Sequence, residues 1–344
     1  MTRRWVLAAV HKGPYLALAP LERELGARAC IWLLSGTAAA ERRRAGLAFR
    51  PMPRNFAKAV AALAPRGLIR GTSELPERRN PERRLADAFA AAGLPVFAVE
   101  DFPGNYTAAP SAPLDALFVA HRTTRLRHAR RGVPARKIVV AGNPRYAEPL
   151  PSAPSRRAAR ARFGLGREPV VLWAGQPDGA SGRRTLAALS PALNRAGAVV
   201  LFRAHPRDPA FRRPTALAGV RLVDAGREPL WTAVRASDLV LTQFSSLAVE
   251  AGRLGVPALF ALLPGAGRAY LKRRTGMTAL PWCDEGSAFQ LDDAGRAGAV
   301  LTRALGDAAA RRRALARLAA ERRKGSGAAR RIAIILSSMT QDHA

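Results

Sequence analysis

Short apolar runs that end on turn residues alternate along this chain with longer Ala/Arg-rich stretches of helical period. That alternation restricts the fold to βα units in series, with parallel strands covered by helices on both faces. In the first half, strands are expected at Trp5–Val10, Ala29–Leu34, Gly67–Arg70, Pro95–Val99, Leu114–Val119 and Lys137–Ala141. Helices are expected at Tyr15–Leu25, Pro81–Ala92 and Thr123–Arg131. Gly142-Asn143-Pro144-Arg145 and the Pro/Ala/Ser-rich run from Pro149 to Ser155 break the pattern. After a basic helix at Arg156–Arg162, strands resume at Val170–Ala174, Ala198–Arg203, Val220–Val223, Leu239–Thr242 and Ala258–Leu262. Helices of this second series fall near Arg183–Arg195, Glu228–Ala236, Ser245–Leu254 and Asp307–Lys324. The expected organisation is an α/β domain over 1–148, a linker over 149–164, a second α/β domain over 165–325 and a tail over 326–344. The apolar patch Ile332–Leu336 in that tail is too short to span a membrane and is expected to lie on a domain surface. Ligands of such folds bind at the carboxyl ends of the strands, so a cleft between the two domains is expected and strand-end residues become the candidates.

The formal net charge is +31, and the basic residues are 51 Arg against five Lys. Residues 1–150 carry 25 basic and 11 acidic side chains, and residues 151–344 carry 31 and 14, so both domains are basic and neither owns a detachable basic tail. Such a field attracts polyanions without choosing among nucleotide phosphates, anionic lipid and nucleic acid. Aromatic residues at 6% and the lack of a nucleic-acid motif weigh against a nucleic-acid binder. Cys30 and Cys283 lie far apart without metal-ligand spacing, which excludes a disulfide scaffold and suits a reducing compartment. The apolar N-terminal run stops at His11-Lys12 and reads as a first strand rather than a signal peptide. A cytoplasmic protein is expected, with peripheral contact to anionic membrane as an open alternative. The stretch Arg311–Lys324 reads either as a surface helix of its own domain or as a lipid-docking helix.

Two segments carry the strongest chemical signal. In Leu239–Pro257 a strand feeds a tight turn at Gln243-Phe244, and a helix is expected to open at Ser245-Ser246. Helix N-termini present unpaired N–H groups and bind phosphate, while the same hydroxyls also serve as ordinary caps. Glu250, one and a half turns on, is placed to accept both hydroxyls of a ribose diol. In Val199–Asp208 a buried strand delivers His205 and Arg207 at its carboxyl end, both able to donate to a diphosphate, Arg in a forked geometry. Gly175-Gln176, after the strand at Val170–Ala174, reads either as a close approach to that diphosphate or as a plain βα turn. On the first domain, His11 and the pair Glu100-Asp101 close strands and are candidate bases; either His11 or Asp101 suits deprotonation of an acceptor hydroxyl near pH 7. Glu74 ranks lower. His121 and His128 sit among Arg residues and read as surface groups.

The pattern His205-Pro206-Arg207, then Phe244-Ser245-Ser246, then Glu250 resembles the nucleotide-binding domain of GT-B glycosyltransferases. Nearest in pattern are the capsule and teichoic-acid type transferases of the CDP-glycerol glycerophosphotransferase kind. UDP-N-acetylglucosamine 2-epimerases share that fold and a similar Ser-to-Glu spacing, and Gly142-Asn143-Pro144 is similar to the segment that ends these families' first domain. Gln243 stands where many relatives carry Asp, and of the acids in the epimerase pattern only Glu100 and Asp101 have counterparts. The resemblance implies two tandem Rossmann-like domains and no resident cofactor. It also implies a UDP- or CDP-linked sugar donor and a saccharide or lipid-linked acceptor in surface polysaccharide synthesis. The sequence lacks an Asp-x-Asp motif, which agrees with a metal-independent transferase. The rival within the same fold is an epimerase that needs no acceptor.

Overall fold

A computed structural model of the chain describes residues 3–73, 75, 79–107, 112–149, 152–177, 179–205, 208 and 217–341. It divides into two compact units, Met1–Glu148 with Arg322–Ala344, and Pro149–Glu321.

The first unit holds strands β1 (Trp5–Ala9), β2 (Cys30–Leu34), β3 (Arg50–Pro51), β4 (Gly67–Arg70), β5 (Val96–Val99), β6 (Ala116–Val119) and β7 (Ile138–Val140). They form one sheet in the order β3-β2-β1-β4-β5-β6-β7, with parallel pairing throughout. Its helices are α1 (Lys12–Leu25), α2 (Gly36–Arg44), α3 (Phe56–Leu63), α4 (Pro81–Ala91) and α5 (Arg122–Arg130). Every residue of β1 and β2 is buried, as a strand covered on both faces requires. Trp5, Leu7 and Ala9 share one core with Leu18 and Leu21 of α1, while Val6 and Ala8 share another with Val60 of α3 and Leu85 and Phe89 of α4.

The second unit begins with α6 (Arg156–Arg162), inside the stretch expected as linker, and its Arg160 reaches Asp238 and the carbonyl of Glu168. Strands β8 (Val170–Ala174), β9 (Val199–Arg203), β10 (Leu222–Asp224), β11 (Leu239–Thr242), β12 (Ala258–Ala261) and β13 (Phe289–Leu291) form a sheet in the order β10-β9-β8-β11-β12-β13. Helices α7 (Gly179–Arg195), α8 (Leu230–Ala236), α9 (Leu247–Ala251), α10 (Gly267–Thr275), α11 (Pro281–Asp284), α12 (Ala297–Gly306) and α13 (Ala308–Gly325) accompany it. In α13 the buried side chains are Ala310, Ala314 and Leu318, one turn apart, and most of the arginines are exposed.

The tail is a helix, α14 (Ala328–Gln341), and it belongs to the first unit. Ile332 and Leu336 are fully buried in the core that holds Trp5, Leu7 and Leu18, and Arg331 donates to the carbonyl of Ala141 at 2.7 Å. Cys30 lies in the same core, and burial pushes its thiol up to about 12. Among the described residues no helix is long and apolar enough to cross a membrane. Ile332→Ala should cost about 2–5 kcal/mol in urea unfolding, whereas Ile334→Ala, 59% exposed on the same helix, should be nearly neutral.

Candidate functional site

In the second unit the carboxyl ends of β8, β9 and β11 meet. The Gly175 N–H donates to the carbonyl of Arg203 at 2.9 Å, and a Cβ at Gly175 would lie 2.9 Å from the His205 nitrogen. The β8 turn therefore approaches the His205 backbone as closely as a residue without a side chain allows. Gln176 is buried and donates to Thr242 Oγ1 at 3.2 Å, and Thr242 donates in turn to the carbonyl of Ala174 at 2.8 Å. Arg203, the last residue of β9, donates to the carbonyls of Ala225 and Glu228, both at 2.7 Å, and burial lowers its pKa. It pins the turn after β10 to the same strand end that carries half-buried His205. Arg207 lies outside the described residues.

After β11 the chain turns through half-buried Phe244, Ser245 and Ser246. Ser245 Oγ accepts from the Leu247 N–H at 3.2 Å, so this hydroxyl serves as a local cap. α9 is shorter than the expected Ser245–Leu254 helix: five residues, then a 3₁₀ turn at Gly252–Leu254. A five-residue helix sums few peptide dipoles, so the anion-binding capacity of this end rests on individual N–H and O–H groups. Glu250 lies in the first turn of α9 and is 5% exposed, deeper than a carboxylate on a solvent-facing helix side. Gln243 is fully buried, and its amide donates to Ser181 at 2.7 Å and Thr185 at 3.0 Å on α7. The amide nitrogen thus ties two elements together. Phe244 stacks on Tyr270 of α10, with centroids 4.7 Å apart and planes at 9°. That aromatic platform beside the Ser-Ser turn had no sequence signal beyond the Phe of the motif.

In the first unit His11 caps α1 and its N–H donates to Ser73 Oγ at 3.0 Å, just beyond β4. Asp101 follows β5, two places across the sheet. Its Oδ1 accepts from Thr72 at 2.8 Å and from Asn105 at 3.3 Å, and Oδ2 lies where a Cβ on Gly13 would come within 2.4 Å. Asp101 thus sits against the first turn of α1. Burial raises its pKa, opposed by the bonds from Thr72 and Asn105 and by the Arg145 charge. The Asn143 amide donates to the Asp101 carbonyl at 3.1 Å, so the Gly-Asn-Pro segment holds this strand end.

Glu100 does not join Asp101. Its carboxylate is buried 2.6 Å from His128 Nε2, which corrects the expectation that it faces the ligand side. The reason is strand alternation: consecutive residues at a strand end point to opposite faces. His128 and His121 are both buried, correcting their reading as surface groups. Glu74 lies outside the described residues.

Glu82, which no motif marked, locks the first unit's strand ends. It is fully buried at the start of α4, and its two oxygens accept from the Val10 N–H at 2.8 Å and the Ser73 N–H at 3.1 Å. Burial raises its pKa against these bonds and the Arg70 charge. Glu82→Gln would turn an amide N–H₂ toward a backbone N–H and should cost about 1–3 kcal/mol in chemical denaturation. Gly175→Ala, which forces backbone against backbone, should cost a similar ~1–3 kcal/mol.

No protein-family model and no curated protein matches the chain. Solved structures do match over nearly its whole length. The UDP-N-acetylglucosamine 2-epimerase from Rickettsia bellii aligns at 12% identity, covering 99% of this chain and 98% of that one, with a TM-score of 0.68. The UDP-GlcNAc 2-epimerase from Neisseria meningitidis bound to UDP-GlcNAc aligns at 13% identity, 97% and 100% coverage and a TM-score of 0.64. The glycosyltransferase SnogD from Streptomyces nogalater aligns at 15% identity, 99% and 100% coverage and a TM-score of 0.59. The likeness is one of fold: two parallel-sheet α/β domains of the GT-B type.

Proposed function

We propose that the chain is a metal-independent glycosyltransferase that takes a sugar from a UDP-linked donor held by its second unit. The likeness to a structure bound to UDP-GlcNAc supports the donor class. His205, Arg207 and the Ser245-Ser246 turn take the diphosphate, where their positive charge and donors stabilise the leaving group. Gly175 and Gln176 shape the floor of that site, and Glu250 takes the ribose. The acceptor is a saccharide, free or lipid-linked, and its hydroxyl is deprotonated by Asp101, with His11 as the other candidate base.

The observation that carries this reading is Asp101 itself. It is a buried carboxylate with a raised pKa, oriented through one oxygen by Thr72 and Asn105. A base held above the ordinary carboxylate range is suited to proton abstraction near neutrality. Epimerisation is the second reading, favoured by the epimerases of the same fold. Inverting a carbon centre requires a proton to leave one face and return on the other, hence two proton carriers. Glu100 is paired with His128, so the two carriers an epimerase would use here are Asp101 and His11.

Incubation with UDP-GlcNAc should release UDP only when a saccharide acceptor or membrane extract is present. Acceptor-free conversion of the sugar would decide for the epimerase, and CDP-linked donors form the second arm of the assay. Asp101→Asn should lower kcat by about 10²- to 10⁴-fold. In the wild type the acid limb of kcat/KM should lie above the ordinary Asp value of about 3.9. The sign for stability is opposite. A raised folded pKa contributes stability that is complete below the unfolded value and is lost as pH rises through the folded one. Asp101→Asn should therefore be no less stable than wild type at pH 7 while losing activity.

A further inference from the structure

Arg70 closes β4 and is 3% exposed, yet among the described residues its Nε and Nη2 have no hydrogen-bond partner. The guanidinium lies over the Tyr106 ring, 5.3 Å from its centroid. Glu82, the acid whose pKa its charge lowers, already spends both oxygens on the Val10 and Ser73 N–H groups. Nε and Nη2 share one edge of the guanidinium, the edge that matches two oxygens of a carboxylate or phosphate side-on. Leaving that edge bare in a buried site is costly unless something fills it. A cavity of about 20 Å³, lined by Arg70, Thr72, Asn80, Arg83, Asn105 and Tyr106, adjoins this residue. Its volume admits one water-sized group, the size of a single oxygen at the tip of an acidic substituent. Thr72 and Asn105 line this cavity and also hold Asp101 Oδ1.

We propose that Arg70 forms an anion subsite that selects acceptors carrying a carboxylate or phosphate group, one side-chain layer from Asp101. The acceptor assignment rests on the transferase reading; the subsite itself does not. Arginine side-chain Nε–H resonances of the full chain, with that of Arg70 assigned by its loss in Arg70→Lys, report the subsite directly. The Arg70 signal should shift saturably with inorganic phosphate or with acetate, and the stronger response identifies the chemistry. No shift with either, against sodium chloride at equal ionic strength, would overturn the subsite. In transfer assays wild type should have a lower KM for hexuronate or sugar-phosphate acceptors than for neutral ones. Arg70→Lys should reduce that KM ratio by about 10- to 100-fold, the worth of a charged hydrogen-bond pair. An unchanged ratio would overturn the acceptor assignment. Absence of any transfer, with the Arg70 shift intact, would instead count against the transferase reading.

Discussion

A parallel sheet buried on both faces leaves polar groups little room except at the strand ends, and both units of this chain are organised by that constraint. In the second unit the ends of β8, β9 and β11 are drawn together by backbone contact at Gly175 and by the chain from Gln176 through Thr242 to Ala174. In the first unit a buried carboxylate does the same work. Glu82 binds the N–H groups that follow β1 and β4, Ser73 then meets the His11 N–H, and Thr72 orients Asp101. The candidate base is thus placed by neighbours that are themselves placed by Glu82.

Part of the strong positive charge serves as packing material. Arg42 is 4% exposed, lies 4.6 Å from the centre of the Trp32 ring and forks onto Glu22 at 2.8 and 2.9 Å. Arg66 covers Trp5 and Arg84 covers Phe56 in the same manner. A planar, weakly hydrated guanidinium stacks on aromatic faces where an ammonium would hold its water. An Arg-for-Lys preference therefore has structural uses here beyond any surface field.

Strands bounded by turn residues were legible: β4, β8 and β11 fall on the residues that the apolar runs mark. The elements that escaped lacked a pattern. α2 reads Gly-Thr-Ala-Ala-Ala-Glu-Arg-Arg-Arg, with no apolar stripe, and β3 is a two-residue edge strand ending on Pro51. The strand-end positions of Asp101 and His205 were legible because a single segment sets each of them. The site was not legible where a partner lies far along the chain. Glu100 finds His128 28 residues away and Glu82 finds Val10 72 residues away. Neither pairing leaves a trace in local spacing, and His128 among its arginines looked like a surface group for that reason.

The return of α14 to the first unit has a consequence for how the protein is made. The ribosome delivers all seven strands of that unit before it delivers the second unit, and the covering helix follows both. Throughout that interval the patch that Ile332 and Leu336 will cover, which includes the outer side of α1, stays exposed to the cell. Completion of the first unit is thereby deferred until the second has been made, and its nascent form keeps an apolar face uncovered for as long as the intervening 173 residues take to emerge.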